Sequence, residues 1–170
     1  PGTPIMGVNS DPERSKGNIL EFTAAEAALM IPLLEQNRYP YEEWTRLDAT
    51  LTTKDGIQKL APALAQFTIT NTDENLMCHT LLEHKGTTEK LSGTGPLIAT
   101  GTGSTGWYRG ASKFAFPKGD FFPRTVPYAK YVLREPWESG DVPQGRVSSY
   151  ELCTGKLERG ETLTYQYISY

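Results

Sequence analysis

Along this chain apolar residues recur mostly at every second position, the spacing of half-buried strands, and helical spacing shows only near the start. Pro4 to Asn9 is a short apolar run closed by turn-formers and predicts the end of a buried strand. Asn9 to Gly17 is charged and holds Pro12 and Gly17, so it predicts a loop, followed by a brief extended piece at Asn18 to Phe22. Thr23 and Glu26 then stand at capping-box spacing, with Ala27, Met30, Ile31 and Leu34 recurring at helical spacing behind them. Pro32 interrupts this pattern, so a kinked helix or two short ones are expected, finished by Asn37.

Glu43 to Thr53 alternates, with Leu47, Ala49 and Leu51 on one side and Arg46, Asp48 and Thr50 on the other. It predicts a half-buried strand before a turn at Lys54-Asp55-Gly56. Phe67 to Thr70 and Leu76 to Glu83 predict further strands around a polar turn at Asn71 to Asn75, and Leu97-Ile98-Ala99 predicts a short one. The aromatic stretch Gly110 to Pro127, broken by Pro117 and Pro123, reads as a long ordered loop. Tyr128 to Arg134, Arg146 to Thr154 and Thr162 to Ile168 predict three late strands, with a turn at Glu158-Arg159-Gly160. The fold class is therefore mainly β with one or two short helices (α+β). The short connections favour antiparallel pairing.

Composition narrows this picture. A chain of 170 residues, 38% hydrophobic and 22% charged, fits one domain or one and a half with a real core. A net charge of −3 without a dense Lys/Arg cluster argues against a generic nucleic-acid binder. No apolar run is long enough to span a bilayer. Cys78, His79 and His84 invite comparison with metal ligands, but zinc spacings are absent, so no metal is expected. Cys78 and Cys153 read as buried or idle thiols, consistent with a reducing compartment. The chain opens at Pro1 without a methionine or a signal-peptide pattern, as expected of a processed chain or a portion of a longer one.

The stretch that most invites chemistry runs from Thr94 to Tyr108. After Leu97-Ile98-Ala99 it breaks into Gly101-Thr102-Gly103-Ser104-Thr105-Gly106 and then the aromatic pair Trp107-Tyr108. Glycines allow close approach to main-chain N–H groups, hydroxyls add donors and acceptors, and a helix starting near Thr105 would add an anion site. Thr102, Gly103, Ser104 and Thr105 are thus candidate ligand residues, and an ordinary turn is the competing reading. Asn9 and Asp11 are candidates for a ligand contact or for turn capping. His79 and His84 read as hydrogen-bonded structural histidines, and Arg134-Glu135 as a strand-end ion pair. Phe114, Phe116, Phe121, Phe122 and Tyr128 read as core or, beside the prolines, as a partner surface.

Two of these segments resemble a known family. Gly7-Val8-Asn9-Ser10-Asp11-Pro12-Glu13-Arg14-Ser15-Lys16-Gly17 is similar to the hinge of the NAD kinase family, most closely its mitochondrial type, which carries Asn-Thr-Asp-Pro-Glu-Arg-Ser-Glu-Gly there. Thr100-Gly101-Thr102-Gly103-Ser104, with Trp107 behind it, resembles the dinucleotide-binding loop of that branch. Asn37 to Leu47 is similar to the family's entry into its strand-rich domain, and Leu133-Arg134-Glu135-Pro136 to a late Ile-Arg-Glu-Pro. The motifs follow the family's order across most of the chain.

The resemblance implies an antiparallel, sandwich-like C-terminal domain, with residues 1–22 as hinge strand and loop and 23–170 as the dinucleotide-binding-like domain. It implies NAD or NADP as ligand and the reaction of ATP-dependent phosphorylation at the adenosine 2′-hydroxyl. ATP and Mg would come only through an α/β domain that is expected to be missing from this chain, as is its Gly-Gly-Asp-Gly motif with the base. Catalytic residues are therefore not expected here. The family's Asn-Glu pair upstream of the glycine loop aligns with Ala65 and Gln66, which would remove polar contacts with a ligand. A shifted register would bring Asn71, Asp73 or Asn75 into that role. The implied functions are the NAD-binding part of a kinase or a catalytically inactive subunit of a larger assembly with a protein partner or as a homo-oligomer. Location is mitochondrial by the same resemblance, with the cytoplasm as the other option.

Overall fold

The computed structural model describes residues 3–15, 17, 19–73, 76–138 and 140–168, in two units, Pro1–Glu43 and Trp44–Tyr170. In the first, β1 (Val8–Asn9) and β2 (Phe22–Thr23) pair in parallel. The apolar run before Asn9 is not a buried strand: Ile5 is 84% exposed and it is Asn9 that is buried. The extended piece is only β2, and Asn18 lies outside the described residues. Thr23 caps α1 (Ala24–Glu35) through the expected box, its hydroxyl accepting from the Glu26 N–H and its own N–H donating to Glu26 Oε2 at 2.8 Å.

One helix forms rather than two, and it runs through Pro32. Proline cannot donate to the Ala28 carbonyl one turn back, but Ala28 is exposed, so water can serve that oxygen. The helix ends in a Schellman motif, with Arg38 N–H donating to Leu33 O and Asn37 N–H to Leu34 O, and Asn37 at φ 52°. Ala27 is buried and Met30 and Leu34 are half-buried, whereas Ile31 is exposed.

The second unit holds β3 (Thr50–Thr53), β4 (Gly56–Lys59), β5 (Gln66–Thr68), β6 (Cys78–His84), β7 (Thr87–Gly93), β8 (Gly95–Ala99), α2 (Trp107–Ala111), β9 (Tyr128–Arg134), β10 (Thr154–Glu158) and β11 (Thr164–Tyr167). An antiparallel four-stranded sheet has the order β10-β9-β8-β5, and a three-stranded one the order β11-β6-β7. Alternation along the strands decides what each face meets. Ile98, Ala129, Tyr131 and Leu133 of the larger sheet meet Leu82 and Leu91 of the smaller one, forming a sandwich core. Leu97, Ala99 and Val132 point to the opposite face, where Tyr108 and Phe122 cover them. The larger sheet is thus buried on both sides, and the glycine turn leaves it at the end of β8.

Three expectations change. Glu43 to Thr53 is not a half-buried strand: Leu47 makes a single bridge to Ala63, and β3 is wholly exposed in a hairpin with β4. Arg146 to Thr154 is not one strand either. Its chain breaks at Glu151–Cys153 into a 3-10 turn, whose Glu151 and Leu152 N–H groups donate to the Glu89 carboxylate at 3.1 and 2.7 Å, and only then enters β10. Strand β7 has Leu91 as its one large apolar residue, so periodicity missed it. It is held by a hairpin through Lys85 and Gly86, both at positive φ, as the favoured two-residue hairpin turn requires.

Candidate functional site

Thr100, at the end of β8, anchors the glycine turn. Its N–H donates to the Ala65 carbonyl at 2.9 Å, and its hydroxyl lies 2.6 Å from Leu64 O and 3.1 Å from Ala65 O. Gly103 N–H donates to that hydroxyl at 3.3 Å. Ser104 is buried, with its hydroxyl donating to Gly101 O at 2.7 Å and accepting from Phe122 N–H at 3.4 Å. Thr105 is exposed and its hydroxyl donates to Thr102 O at 3.3 Å.

The first two glycines are explained by packing. A Cβ on Gly103 would lie 2.1 Å from Ala65 O, and one on Gly101 2.0 Å from Pro123 O. Neither has positive φ. Both let backbone press on backbone, which is a structural use of a residue that the sequence offered as a ligand cradle.

The expected helix start near Thr105 is displaced. A 3-10 turn occupies Gly103–Thr105, and α2 begins at Trp107 and is five residues long. The N–H groups of Gly103, Ser104, Gly106 and Arg109 are all bonded within this segment, so they do not form a helix-end anion site. One group does stand out. The Thr102 hydroxyl is buried and has no hydrogen-bond partner.

Ala65 and Gln66 do lie beside this turn. Ala65 O faces Gly103, and Gln66 pairs with Ala99, which puts its side chain on the sheet face that Tyr108 and Phe122 cover. The Asn71 side chain belongs to its own turn, its Oδ1 accepting from Asp73 N–H at 3.4 Å, and Asn75 lies outside the described residues. Asn9 and Asp11 belong to the other unit. There Asn9 Oδ1 accepts from Asp11 N–H at 3.0 Å while its amide donates to Ser15 O at 2.9 Å, the geometry of turn capping. Asn9 also lines a depression of about 500 Å³ with Pro12, Leu20 and Phe22.

A cluster that the sequence did not suggest sits under α2. Tyr108 donates its hydroxyl to Asp120 Oδ2 at 2.9 Å, and Lys130 from β9 is ion-paired to Asp120 Oδ1. Burial, then the Asp120 carboxylate, pushes the Tyr108 phenol far above the ordinary tyrosine range. Burial also pushes Tyr131 up to about 12. A phenol with a raised folded-state pKa stabilises the fold below its unfolded pKa and loses that contribution as pH rises through the folded value. Stability should thus hold through neutrality and fall above pH ~10, by up to about 1.4 kcal/mol per pH unit for each such tyrosine. Urea melts between pH 8 and 12, read alongside tyrosinate absorbance, check this.

The remaining candidates are structural. Successive β6 side chains face opposite ways, so Cys78 and His84 point inward, about 20 Å apart along the strand, while His79 points away. The three do not converge on one ion. His79 Nδ1 lies 2.9 Å from Ser92 Oγ, and His84 lies between Tyr131 OH at 3.1 Å and Glu161 at 3.5 Å. Both cysteines are free and buried. Arg134 does not pair with Glu135: its guanidinium donates to Thr94 O at 2.5 Å and Gly95 O at 3.2 Å and lies over the Trp107 ring. Of the aromatics weighed as a partner surface, Phe122 and Tyr128 stack on each other in or against the core, whereas Phe114 and Phe121 are exposed.

No protein-family model and no curated protein sequence matches the chain. Among solved structures it is similar to yeast NADH kinase, solved with NADH, at a TM-score of 0.69 and 17% identity over 89% of this chain and 40% of that one. It is also similar to an NAD kinase from Archaeoglobus fulgidus, solved with ATP, at a TM-score of 0.58 and 15% identity over 89% of this chain and 51% of that one. The chain thus spans about half or less of the length of these neighbours. Its mostly antiparallel, strand-rich fold is that of the C-terminal domain of NAD kinases.

Proposed function

We propose that this chain is the dinucleotide-holding part of an NAD-kinase-like protein, taking NAD or NADP against the Thr100 to Trp107 turn. The observation that carries this reading is the buried, partnerless Thr102 hydroxyl, in the turn that follows β8 in a fold shared with a kinase solved with NADH. A buried hydroxyl without a partner costs about 1–3 kcal/mol, and a ribose or phosphate oxygen would offset that cost. Thr105, Gly106 and Trp107 are exposed beside it and can meet a ligand, while Gly103 and Ser104 hold the turn's shape. In the other unit Asp11, whose carboxylate is half exposed, is a separate candidate for a ligand contact, and Asn9 shapes its loop.

In this reading the chain binds and orients the dinucleotide. The base for the 2′-hydroxyl, and the residues holding ATP and Mg, belong to an α/β domain outside these residues. A second reading, a catalytically inactive subunit of a mitochondrial assembly, draws support from Ala65 and Gln66 beside the turn, where an amide and a carboxylate are expected.

Calorimetry with NAD and NADP separates the two. Under the first reading millimolar ligand releases or absorbs heat and raises the melting temperature by about 3–6 °C at tenfold excess over Kd. Thr102→Val should weaken binding about tenfold while leaving the free protein as stable or more so, since it removes an unsatisfied polar group. No heat and no shift with the wild-type chain would favour the second reading.

A further inference from the structure

We propose that the outer face of α2 and the segment behind it, Trp107 to Arg124, binds single-stranded nucleic acid. The net charge of −3 hides a strong segregation. From Lys90 to Arg134 the sequence carries seven of its 17 basic residues and one of its 20 acidic ones, Asp120. That carboxylate is turned inward, its side chain 13% exposed, and Lys130 neutralises it. The segment Trp107 to Arg124 therefore contributes four cations to the surface and only one acid, which is turned inward and neutralised.

Helix α2 and the turn after it sort their residues accordingly. Tyr108 and Ser112 are buried and Ala111 is half-buried, which leaves Trp107, Arg109, Lys113 and Phe114 outward, followed by the exposed Lys118 and Phe121. Two aromatic rings on this lobe have a guanidinium on one face: Arg109 lies 5.1 Å from the Phe121 centroid and Arg134 4.6 Å from that of Trp107. Trp107 is 49% exposed and Phe121 51% exposed. Flat rings interleaved with cations match a ligand that alternates bases and phosphates, since bases stack on aromatics and phosphates pair with Lys and Arg. An acidic protein would use the cations and leave the rings idle. A bilayer would need rings that project outward, whereas these lie against guanidinium groups.

The test is fluorescence anisotropy of the chain with a short fluorescein-labelled oligouridine, titrated at about 50 and 200 mM salt. Binding is expected, with a slope of log affinity against log salt of about −2, as three phosphate contacts on a single strand give. Lys113→Glu/Lys118→Glu should weaken it at least about tenfold. Lys54→Glu/Lys59→Glu, the same charge change on the β3–β4 hairpin, should leave it within about twofold. Phe121→Ala should cost about tenfold. Lys113→Gln/Lys118→Gln, a milder change should the reversal disturb folding, should still weaken binding and flatten the salt slope. No anisotropy change for the wild type, equal loss in the hairpin variant, or equal or tighter binding of phosphatidylserine vesicles or polyglutamate would each overturn the proposal.

Discussion

Gly103→Ala is expected to destabilise the chain by about 3 kcal/mol, lowering its melting temperature by about 6–12 °C. The added methyl would lie 2.1 Å from the Ala65 oxygen and 2.8 Å from its carbonyl carbon. Backbone atoms on both sides are fixed, because the Ala65 carbonyl accepts from Thr100 N–H and Gln66 is paired to Ala99. Relief therefore requires parting β5 from the turn, with loss of hydrogen bonds worth about 0.5–1.5 kcal/mol each on top of the overpacking. Gly110→Ala is the control: its Cβ meets nothing within 4 Å, and it lies inside α2, so it should stabilise slightly. Thermal melts of the two variants check the contrast. A Gly103→Ala protein that melts with the wild type would mean that the turn stands off from Ala65.

This result changes what a larger substitution can say about function. Gly103→Val, the natural variant for testing a ligand cradle, would lose dinucleotide binding through damage to the turn whether or not the glycine touches a ligand. Thr102→Val is the cleaner probe, because it replaces one unsatisfied hydroxyl with a methyl and leaves the backbone of the turn alone. The sequence presented Thr102, Gly103, Ser104 and Thr105 as equivalent members of a glycine-rich run. Packing divides them into supports and one unsatisfied group, and no local pattern encodes that division, since it depends on Ala65 and Phe122 brought in from other segments.

What was legible followed local rules. The Thr23–Glu26 box, the Asn37 stop and strand β9 at Tyr128–Arg134 are written in residues close together in the chain. Strand β7 was hidden because its pairing depends on β6, and Arg146 to Thr154 misled because a distant carboxylate, Glu89, offers its backbone a competing partner. The same limit hid the Asp120 site. An acid in a proline-rich aromatic loop gives no hint that a lysine ten residues on, and a tyrosine twelve residues back, will converge on it.

Asp120→Ala is expected to cost about 3–5 kcal/mol and to lower the melting temperature by about 6–20 °C. The Lys130 ammonium would remain mostly covered without its counter-ion, and the buried Tyr108 hydroxyl would lose its acceptor. Removing the charge as well should recover much of that loss, so Asp120→Ala/Lys130→Met is expected to be more stable than Asp120→Ala alone. Tyr108→Phe, which removes only a neutral donor, should cost about 1 kcal/mol and leave the ion pair in place. The Asp120→Ala variant should also bring the Tyr108 titration part of the way down towards ordinary tyrosine, because the hydrogen bond to Asp120 and its charge are gone while burial, the largest cause, remains. Denaturant melts of these proteins, with Lys130→Met alone added to close a double-mutant cycle, test the energetics. If Asp120→Ala and the double variant were equally stable, the pair would be a surface contact rather than the anchor that holds α2, and with it the glycine turn, on the sheet.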